Sequence, residues 1–390
     1  MKRIVALLFF VMFLIGTDTF LVAPLLPVLS HVYHLPPALS GWMVSAYAFG
    51  YALFALIVGP ISDRLDRKKL LVCGLLAFAL STFLCAFAPN FLTMVLLRAL
   101  AGISAAIAAP QVWAGIPQLV EAKDIVRTFG LVTGGLSVAQ MVGVPLGSYL
   151  AAFSWHAPFL AVGMGAGLLT VFLIRYLPAL PAKRAKTPVH FLSTYGVLFG
   201  QRRIRLYFTG YFFFQLAFYT AFSFIGLWFA AAFSLSLAKI GTVMIVLGAG
   251  NFAGSFWGSH LFSRFGVHRA IGLLLLGIAC LYAALAVTSS LPLAVGLLIL
   301  IFFAGGCAFP LLMSLLQSLA PQVRGTISAL TNAMMYMGAM CAGVIGGVLF
   351  GHSYNLFLWI GLFSTLSNIM ALFLDQRAGL FHKVEAEQRT

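Results

Sequence analysis

Ionisable side chains are scarce in this 390-residue chain, which has only eight acidic residues: Asp18, Asp63, Asp66, Glu121, Asp124, Asp375, Glu385 and Glu387. All but one fall in polar stretches. Asp18 instead sits inside the apolar run LIGTDTFLVAPLLP, residues 14–27. A charge at mid-membrane costs roughly 3 kcal/mol or more, so one that is kept there normally faces a cavity or a partner and has a role. The basic residue in a comparable setting is Arg98, in LLRALAGISAA, residues 96–106. If the first helix enters the membrane near residue 4, Asp18 lies roughly 21 Å in at 1.5 Å per residue. A helix running the other way from residue 91 puts Arg98 roughly 10 Å below the far surface, or about 20 Å from the near one in a 30 Å core. The depths match, and pairing would remove much of the burial cost of both charges. Burial favours the neutral acid and the guanidinium favours the carboxylate, so movement of Arg98 or arrival of a cation would change proton occupancy. This reads as a proton-coupling pair, Asp18 and Arg98. A static ion pair, or a neutral Asp bonded to neighbouring helices, is the alternative.

Other chemistries lack their residues. There is no second carboxylate inside an apolar run, no HExxH, no GxSxG and no phosphate loop, so an enzyme is not expected. His31 and His34 stand three apart with no further ligand nearby, and no metal site is expected. Cys73, Cys85, Cys280, Cys307 and Cys341 all lie in apolar runs with no CxxC, which reads as core packing. No cofactor motif is present.

The elements that must position the pair are membrane helices. Hydrophobic residues make up 62% of the chain and charged ones 8%, against about a quarter charged in soluble domains. Apolar runs of 18 or more residues recur from end to end. The periodicity predicts helices over 4–29, 41–61, 70–88, 91–113, 126–152, 157–178, 206–233, 238–260, 270–287, 291–316, 325–350 and 354–374. The start, MKRIVALLFF, looks like a secretory signal, but its apolar run continues too far and reads as an uncleaved first span. The polar stretch 179–205 divides the chain into an N-terminal bundle (1–178) and a C-terminal bundle (206–374), followed by a tail (375–390). The fold class expected is an all-α polytopic membrane protein with pseudo-symmetric six-helix halves.

Of the 23 Lys and Arg, 21 fall on one set of alternate loops; the exceptions are Lys239 and Arg98. By the positive-inside rule both termini are cytoplasmic, in the plasma (inner) membrane. The net charge of +15 is thereby a topology signal, and nucleic acid is not expected as a partner. The halves look duplicated. Asp63-Arg64 faces Ser263-Arg264, Pro110 faces Pro310, and Val126-Arg127 faces Val323-Arg324, at offsets of 200, 200 and 197. Repeated halves with a substrate site between them near the midplane are a transporter architecture, and nothing demands more than a monomer.

Polar residues inside the spans are candidates for contact with a small-molecule substrate: Tyr47, Gln111, Gln140, Gln215, Asn251, Asn332 and Tyr336. The seventh helix, YFTGYFFFQLAFYTAFSFIGLWFAAAF (207–233), is rich in aromatics. Its Tyr211, Gln215, Tyr219 and Phe222 repeat at i, i+4, i+8 and i+11 and could form one face suited to flat, lipophilic or cationic ligands. Lipid contact accounts for many of the other rings.

Four motifs carry a family resemblance. GPISDRLDRKKLL, residues 59–71, resembles the signature loop of the major facilitator superfamily: Gly59, Asp63, Arg64, Arg67 and Lys68 match, and Asp66 stands where the family has Gly. Arg98 and Gly102 match its fourth-helix motif, with Ala101 for the frequent Gln. Gly135, Gly143, Pro145 and Gly147 in GLSVAQMVGVPLGSYL (135–150) resemble the fifth-helix motif of the antiporter branch, with Val144 splitting the usual Gly-Pro. SWHAPF (154–159) resembles a W-R-x-x-F turn, with His156 for Arg. The whole chain is similar to the twelve-span drug:proton antiporter branch, which includes multidrug, sugar and purine exporters. The resemblance implies proton-coupled efflux by alternating access. The 59–68 loop would act as a cytoplasmic latch through Asp63, supported by Glu121 and Asp124. The proton gradient would be the energy source. A substrate-specific sugar, nucleoside or metabolite exporter or facilitator, and a lipid flippase, are the alternative functions.

Overall fold

The computed structural model describes residues 2–62, 65–121, 124–180, 196, 198–262, 267–319, 324–353, 355, 358–359, 361–363 and 365–370. Within the bilayer no water can satisfy an open backbone, so a chain this apolar must close its hydrogen bonds within helices or a closed barrel. The described residues form helices and no strand. They are α1 Lys2–Val32, α2 Trp42–Ser62, α3 Arg67–Cys85, α4 Phe91–Leu119, α5 (125–153), α6 Ala157–Tyr176, α7 Arg202–Phe233, α8 Leu237–Phe262, α9 Val267–Ala286, α10 Leu291–Leu319 and α11 Arg324–His352. A short helix, Pro37–Ser40, leads into α2. Eleven helices among the described residues are long and apolar enough to cross a membrane. Residues 361–363 and 365–370, inside the expected twelfth span 354–374, are helical too. The chain is an integral, multi-pass membrane protein.

Several helix ends differ from the sequence expectation. α3 begins at Arg67 rather than 70 because Asp66 caps it, its carboxylate accepting from the backbone N–H of Lys68 and Lys69 at 2.8 and 3.2 Å. Asn90 likewise caps α4 through Thr93 N at 2.9 Å. α4 runs through Pro110 and Pro117 to Leu119, not 113. α7 starts at Arg202, not 206. α5 is Ile125–Val138 and Val144–Phe153 joined by a π-helical turn, Ala139–Gly143, a feature that apolar periodicity does not encode.

Close helix pairs recur in both halves. A Cβ built on Gly102 of α4 would lie 2.0 Å from Tyr47 O of α2, and one on Gly306 of α10 would lie 2.3 Å from Asn251 O of α8. Small residues at such crossings let backbones touch, which is how membrane helices associate. Between the halves α1 meets α7, α2 meets α11 and α5 meets α8. At the end away from Lys2 these contacts are tight. Ser45 Oγ donates to Met340 O at 2.7 Å, Tyr149 and Thr242 hydroxyls bond at 2.9 Å, and a Cβ on Gly41 would strike Gly343 O at 2.0 Å.

Candidate functional site

Toward the Lys2 end the halves part around a central cavity of about 540 Å³. Both halves line it. α1 gives Met12, Ile15, Thr19 and Phe20; α5 gives Thr133, Ser137 and Gln140; α7 gives Gln215, Phe218 and Tyr219; α8 gives Asn251 and Ser255; α11 gives Asn332 and Tyr336. Tyr51 of α2 and Trp113 of α4 complete the aromatic wall. The lining holds amides, hydroxyls and rings, and among the described residues none that lines it is a carboxylate, Lys, Arg or His. Five of the expected contact residues, Gln140, Gln215, Tyr219, Asn251 and Asn332, converge here, and Tyr336 joins them.

Others stand behind the wall. Tyr47 and Phe222 line a small space beside the cavity with Ser223. Tyr211 is buried and accepts from Gln215 Nε2 at 2.6 Å, so it orients the amide from behind. Gln111 is buried and donates to Ile107 O at 3.3 Å. The expected face of Tyr211, Gln215, Tyr219 and Phe222 is thus split: Gln215 and Tyr219 reach the cavity, and the other two support it. Tyr51 carries no sequence signal that separates it from a lipid-facing ring, yet it stacks on Tyr336 across the halves with centroids 3.7 Å apart. Phe20 stacks on Tyr219 at 6.2 Å and meets Phe222 edge-on at 5.0 Å. These cross-half ring pairs close the inner end of the cavity.

Asp18 and Arg98 meet. Arg98 Nη1 donates to Asp18 Oδ2 at 2.7 Å and Nη2 donates to Asp18 O at 3.2 Å, with both side chains about 0–1% exposed. Arg98 Nε reaches Met43 O at 3.4 Å, and its guanidinium lies over the Tyr47 ring at 4.6 Å. The guanidinium is satisfied on several sides, while it holds the carboxylate through one oxygen. Asp18 Oδ1 is buried beside the Thr82 hydroxyl and takes no hydrogen bond from Arg98. Asp18 therefore keeps one oxygen able to take a proton while the other holds the arginine. It does not line the cavity; Thr19, the next residue, does. Thr19 Oγ1 hydrogen-bonds Tyr47 Oη at 3.0 Å, so the route from cavity to ion pair runs Thr19, Tyr47, Arg98, Asp18. Direct contact between a cavity-bound cation and Asp18 is not available in this arrangement.

The glycines of the fifth-helix motif bring α5 onto α1. A Cβ on Gly143 would lie 2.1 Å from Thr17 Oγ1, one on Gly147 2.0 Å from Leu21 Cδ1, and one on Gly135 2.5 Å from Phe9 O. Pro145 follows the π-helical turn that carries Gln140. In the signature loop, Asp63 and Arg64 lie outside the described residues, as does the surrounding of Gly59. Arg67 N donates to Leu180 O at 3.0 Å, and Lys68 Nζ donates to Leu177 O at 2.5 Å and Ile174 O at 3.0 Å, pinning the start of α3 to the end of α6. Asp124 precedes α5 without capping it through its side chain.

A two-part helical bundle with a central polar-aromatic cavity closed at one end is a transporter architecture. The family is equally plain: residues 8–344 match the model of the Major Facilitator Superfamily, and the chain belongs to it. It is 44% identical over 346 residues to the "uncharacterized MFS-type transporter YceJ" of Bacillus subtilis (strain 168), covering 88% of each chain. It is 27% identical over 350 residues to a "probable sugar efflux transporter" of Mannheimia succiniciproducens, covering 88% of this chain and 84% of that one. Among solved structures it resembles the nucleoside transporter NupG (TM-score 0.77, 16% identity, 95% and 98% of the chains covered). It also resembles an inward-facing bacterial homologue of the lysosomal transporter Spinster (TM-score 0.73, 18% identity, 96% and 95% covered). The chain is a transporter, not an enzyme.

Proposed function

We propose that this protein exports small, uncharged, polar or aromatic molecules in exchange for protons across the plasma membrane. The observation that carries the reading is the Asp18–Arg98 pair, buried one side chain behind a cavity wall that itself holds no charge. A static scaffold gains little from such a pair, because burying two charges costs about what their attraction returns. A coupling site needs it. In the loaded state a proton on Asp18 Oδ1 weakens the hold on Arg98, and the guanidinium shifts its interaction toward Tyr47 and Met43 O. Loss of the proton restores the 2.7 Å pair. Thr19 and Tyr47 transmit the presence of substrate to that equilibrium.

Amides at Gln140, Gln215, Asn251 and Asn332 can donate and accept, and rings at Trp113, Tyr51 and Phe218 offer stacking faces. That set favours a sugar- or nucleoside-like solute over a cation held by an ion pair. The name of the Mannheimia relative, a probable sugar efflux transporter, agrees with this choice. The distribution of Lys and Arg favours cytoplasmic termini, and on that orientation the cavity loads from the cytoplasmic side. The rings at Tyr51–Tyr336 and Phe20–Tyr219 then part as the halves rock, and Asp63 in the 59–68 loop balances the two states. The protein acts as a monomer.

The test is substrate-driven proton movement in proteoliposomes, with panels of sugars, nucleosides and lipophilic cations, for wild type and Asp18→Asn. Uncharged solutes drive proton movement in wild type, and Asp18→Asn binds them without coupling. Full coupling in the variant, or coupling driven only by cations, overturns the reading.

A further inference from the structure

A second concavity lies on the lipid-facing side, between α1 and α6. Its volume is about 710 Å³, and its walls are Ala6, Phe10, Phe13 and Leu14 of α1 with Gly165, Leu168 and Phe172 of α6. Arg3 and Tyr176 stand at its mouth. Phe10 is 50% exposed and Leu168 60%, so the groove opens outward into lipid rather than inward to the transport path. It shares no residue with the central cavity; α1 borders both, and α6 borders only the groove.

Its length is informative. From Arg3 to Leu14 the helix rises about 16 Å at 1.5 Å per residue, close to the roughly 15 Å half-thickness of a hydrocarbon core. A chain lying in the groove would therefore span one leaflet, with its polar end level with Arg3. At Gly165 the nearest atoms a Cβ would meet are the Leu14 methyls, at 3.4 and 3.7 Å. The charge at the mouth is one-sided. Arg3 has no ion pair among the described residues, where Asp18–Arg98 is the salt bridge present. Arg175 sits over the Tyr176 ring at 5.9 Å, and Lys68 is bonded to the same helix end at Ile174 O and Leu177 O. Among the described residues no carboxylate lines the groove.

We infer that this groove is a binding site for an anionic glycerophospholipid, with one acyl chain along α1 and α6 and its phosphate at Arg3. The aromatic rims suit the occupant: Phe10 and Phe13 meet edge-on at 6.4 Å, and Phe172 and Tyr176 stack at 6.2 Å, leaving ring faces and edges for a methylene chain. A cation near a lipid surface contributes about 1 kcal/mol of attraction to anionic headgroups, or about five-fold in affinity. Because α1 also carries Asp18, a lipid seated here lies against a helix that moves in transport.

Native mass spectrometry of the delipidated protein tests this, with phosphatidylglycerol and phosphatidylcholine of identical chains and with soluble glycerol phosphate. Wild type is expected to retain phosphatidylglycerol about five-fold over phosphatidylcholine and to bind no glycerol phosphate. Arg3→Gln should bring the two lipids level. Gly165→Leu fills the groove and should remove the retained lipid of either headgroup. Leu168→Trp, on an exposed position, repeats the filling if Gly165→Leu fails to fold. Equal retention of both lipids by wild type, retention unchanged in the filled variants, or binding of glycerol phosphate in place of lipid overturns the proposal.

Discussion

Asp18 and Arg98 stand on α1 and α4; at the positions 200 later, α7 carries Phe218 and α10 carries Leu298. The halves repeat their helix crossings, yet they fill this one differently. In the C-terminal half Leu298 is 1% exposed and Phe218 packs on Phe302 with centroids 5.3 Å apart. In the N-terminal half the same place holds a desolvated ion pair with one carboxylate oxygen that Arg98 does not bond. The corresponding helices of the C-terminal half thus carry apolar side chains at these positions. If packing alone does not require the charges, what they add must be looked for in function.

The sharpest way to break the comparison is to remove one charge. Arg98→Leu makes α4 resemble α10 but leaves Asp18 buried without its partner. A loss of 3–5 kcal/mol is expected, read as a large drop in the thermal midpoint of the purified protein. Proton coupling should vanish with it. A wild-type midpoint in Arg98→Leu would mean that Asp18 is already neutral and the pair contributes nothing.

Removing both charges sharpens it. Asp18→Leu with Arg98→Met keeps the volume and converts the N-terminal crossing to the apolar kind. Such replacements of buried pairs are often neutral or stabilising by about 1–4 kcal/mol. The double variant should melt at or above wild type while failing to couple substrate to protons in proteoliposomes. Coupling that survives in a stable double variant would sink the assignment of the proton to Asp18.

A smaller effect separates two regions of one helix. Gly143 and Gly134 both lie in α5. A Cβ on Gly143 meets Thr17 Oγ1 at 2.1 Å, whereas one on Gly134 meets only a Phe9 ring carbon at 3.9 Å. Gly143→Ala must push α5 off α1 and should cost about 1–3 kcal/mol. Gly134→Ala should be neutral or stabilising by up to about 1 kcal/mol, from helix propensity alone. Equal effects in thermal melts would show that the motif glycines act through backbone freedom, not through close approach.

The same contrast explains what the sequence could and could not carry. Depth along a helix follows from counting residues, so the meeting of Asp18 and Arg98 was legible from two loop positions and a rise per residue. The membrane helices were legible because hydropathy is a strong, repeated signal, the family because the 59–71 loop and the helix motifs keep their spacing, and the basic loops suggest a topology that stays part of the proposal. Rotation about a helix axis is not set by counting. Tyr211 and Gln215 are neighbours on one face, yet only Gln215 reaches the cavity, because the angle at which α7 meets α1 decides it. The wall between Asp18 and the cavity was hidden for the same reason: residues 18 and 19 point a hundred degrees apart on any α-helix, and the sequence does not say which side is open. The π-helical turn that aims Gln140 inward leaves no periodic trace, since one inserted residue changes only local register. Asp66, a departure from the family pattern, acquired a reason once its hydrogen bonds to Lys68 N and Lys69 N were visible.

The smallest effect concerns the cavity wall itself, and it compares the polar face of α8 with that of α11. Asn251 Nδ2 donates to Phe302 O at 3.3 Å, and Asn332 Nδ2 donates to Ser328 O at 3.2 Å. In each case a donor is engaged by the protein while the amide oxygen is left for a ligand. A neutral hydrogen bond contributes about 0.5–1.5 kcal/mol net, so Asn251→Ala and Asn332→Ala should each weaken binding of an uncharged substrate by up to about ten-fold. Neither should alter proton coupling per substrate moved, because neither touches Thr19 or Tyr47. Binding isotherms on detergent-solubilised protein read the first effect and proteoliposome stoichiometry the second. If either substitution instead abolished coupling at saturating substrate, the path to Asp18 would have to pass through the C-terminal half, and the division of labour between the halves would be wrong.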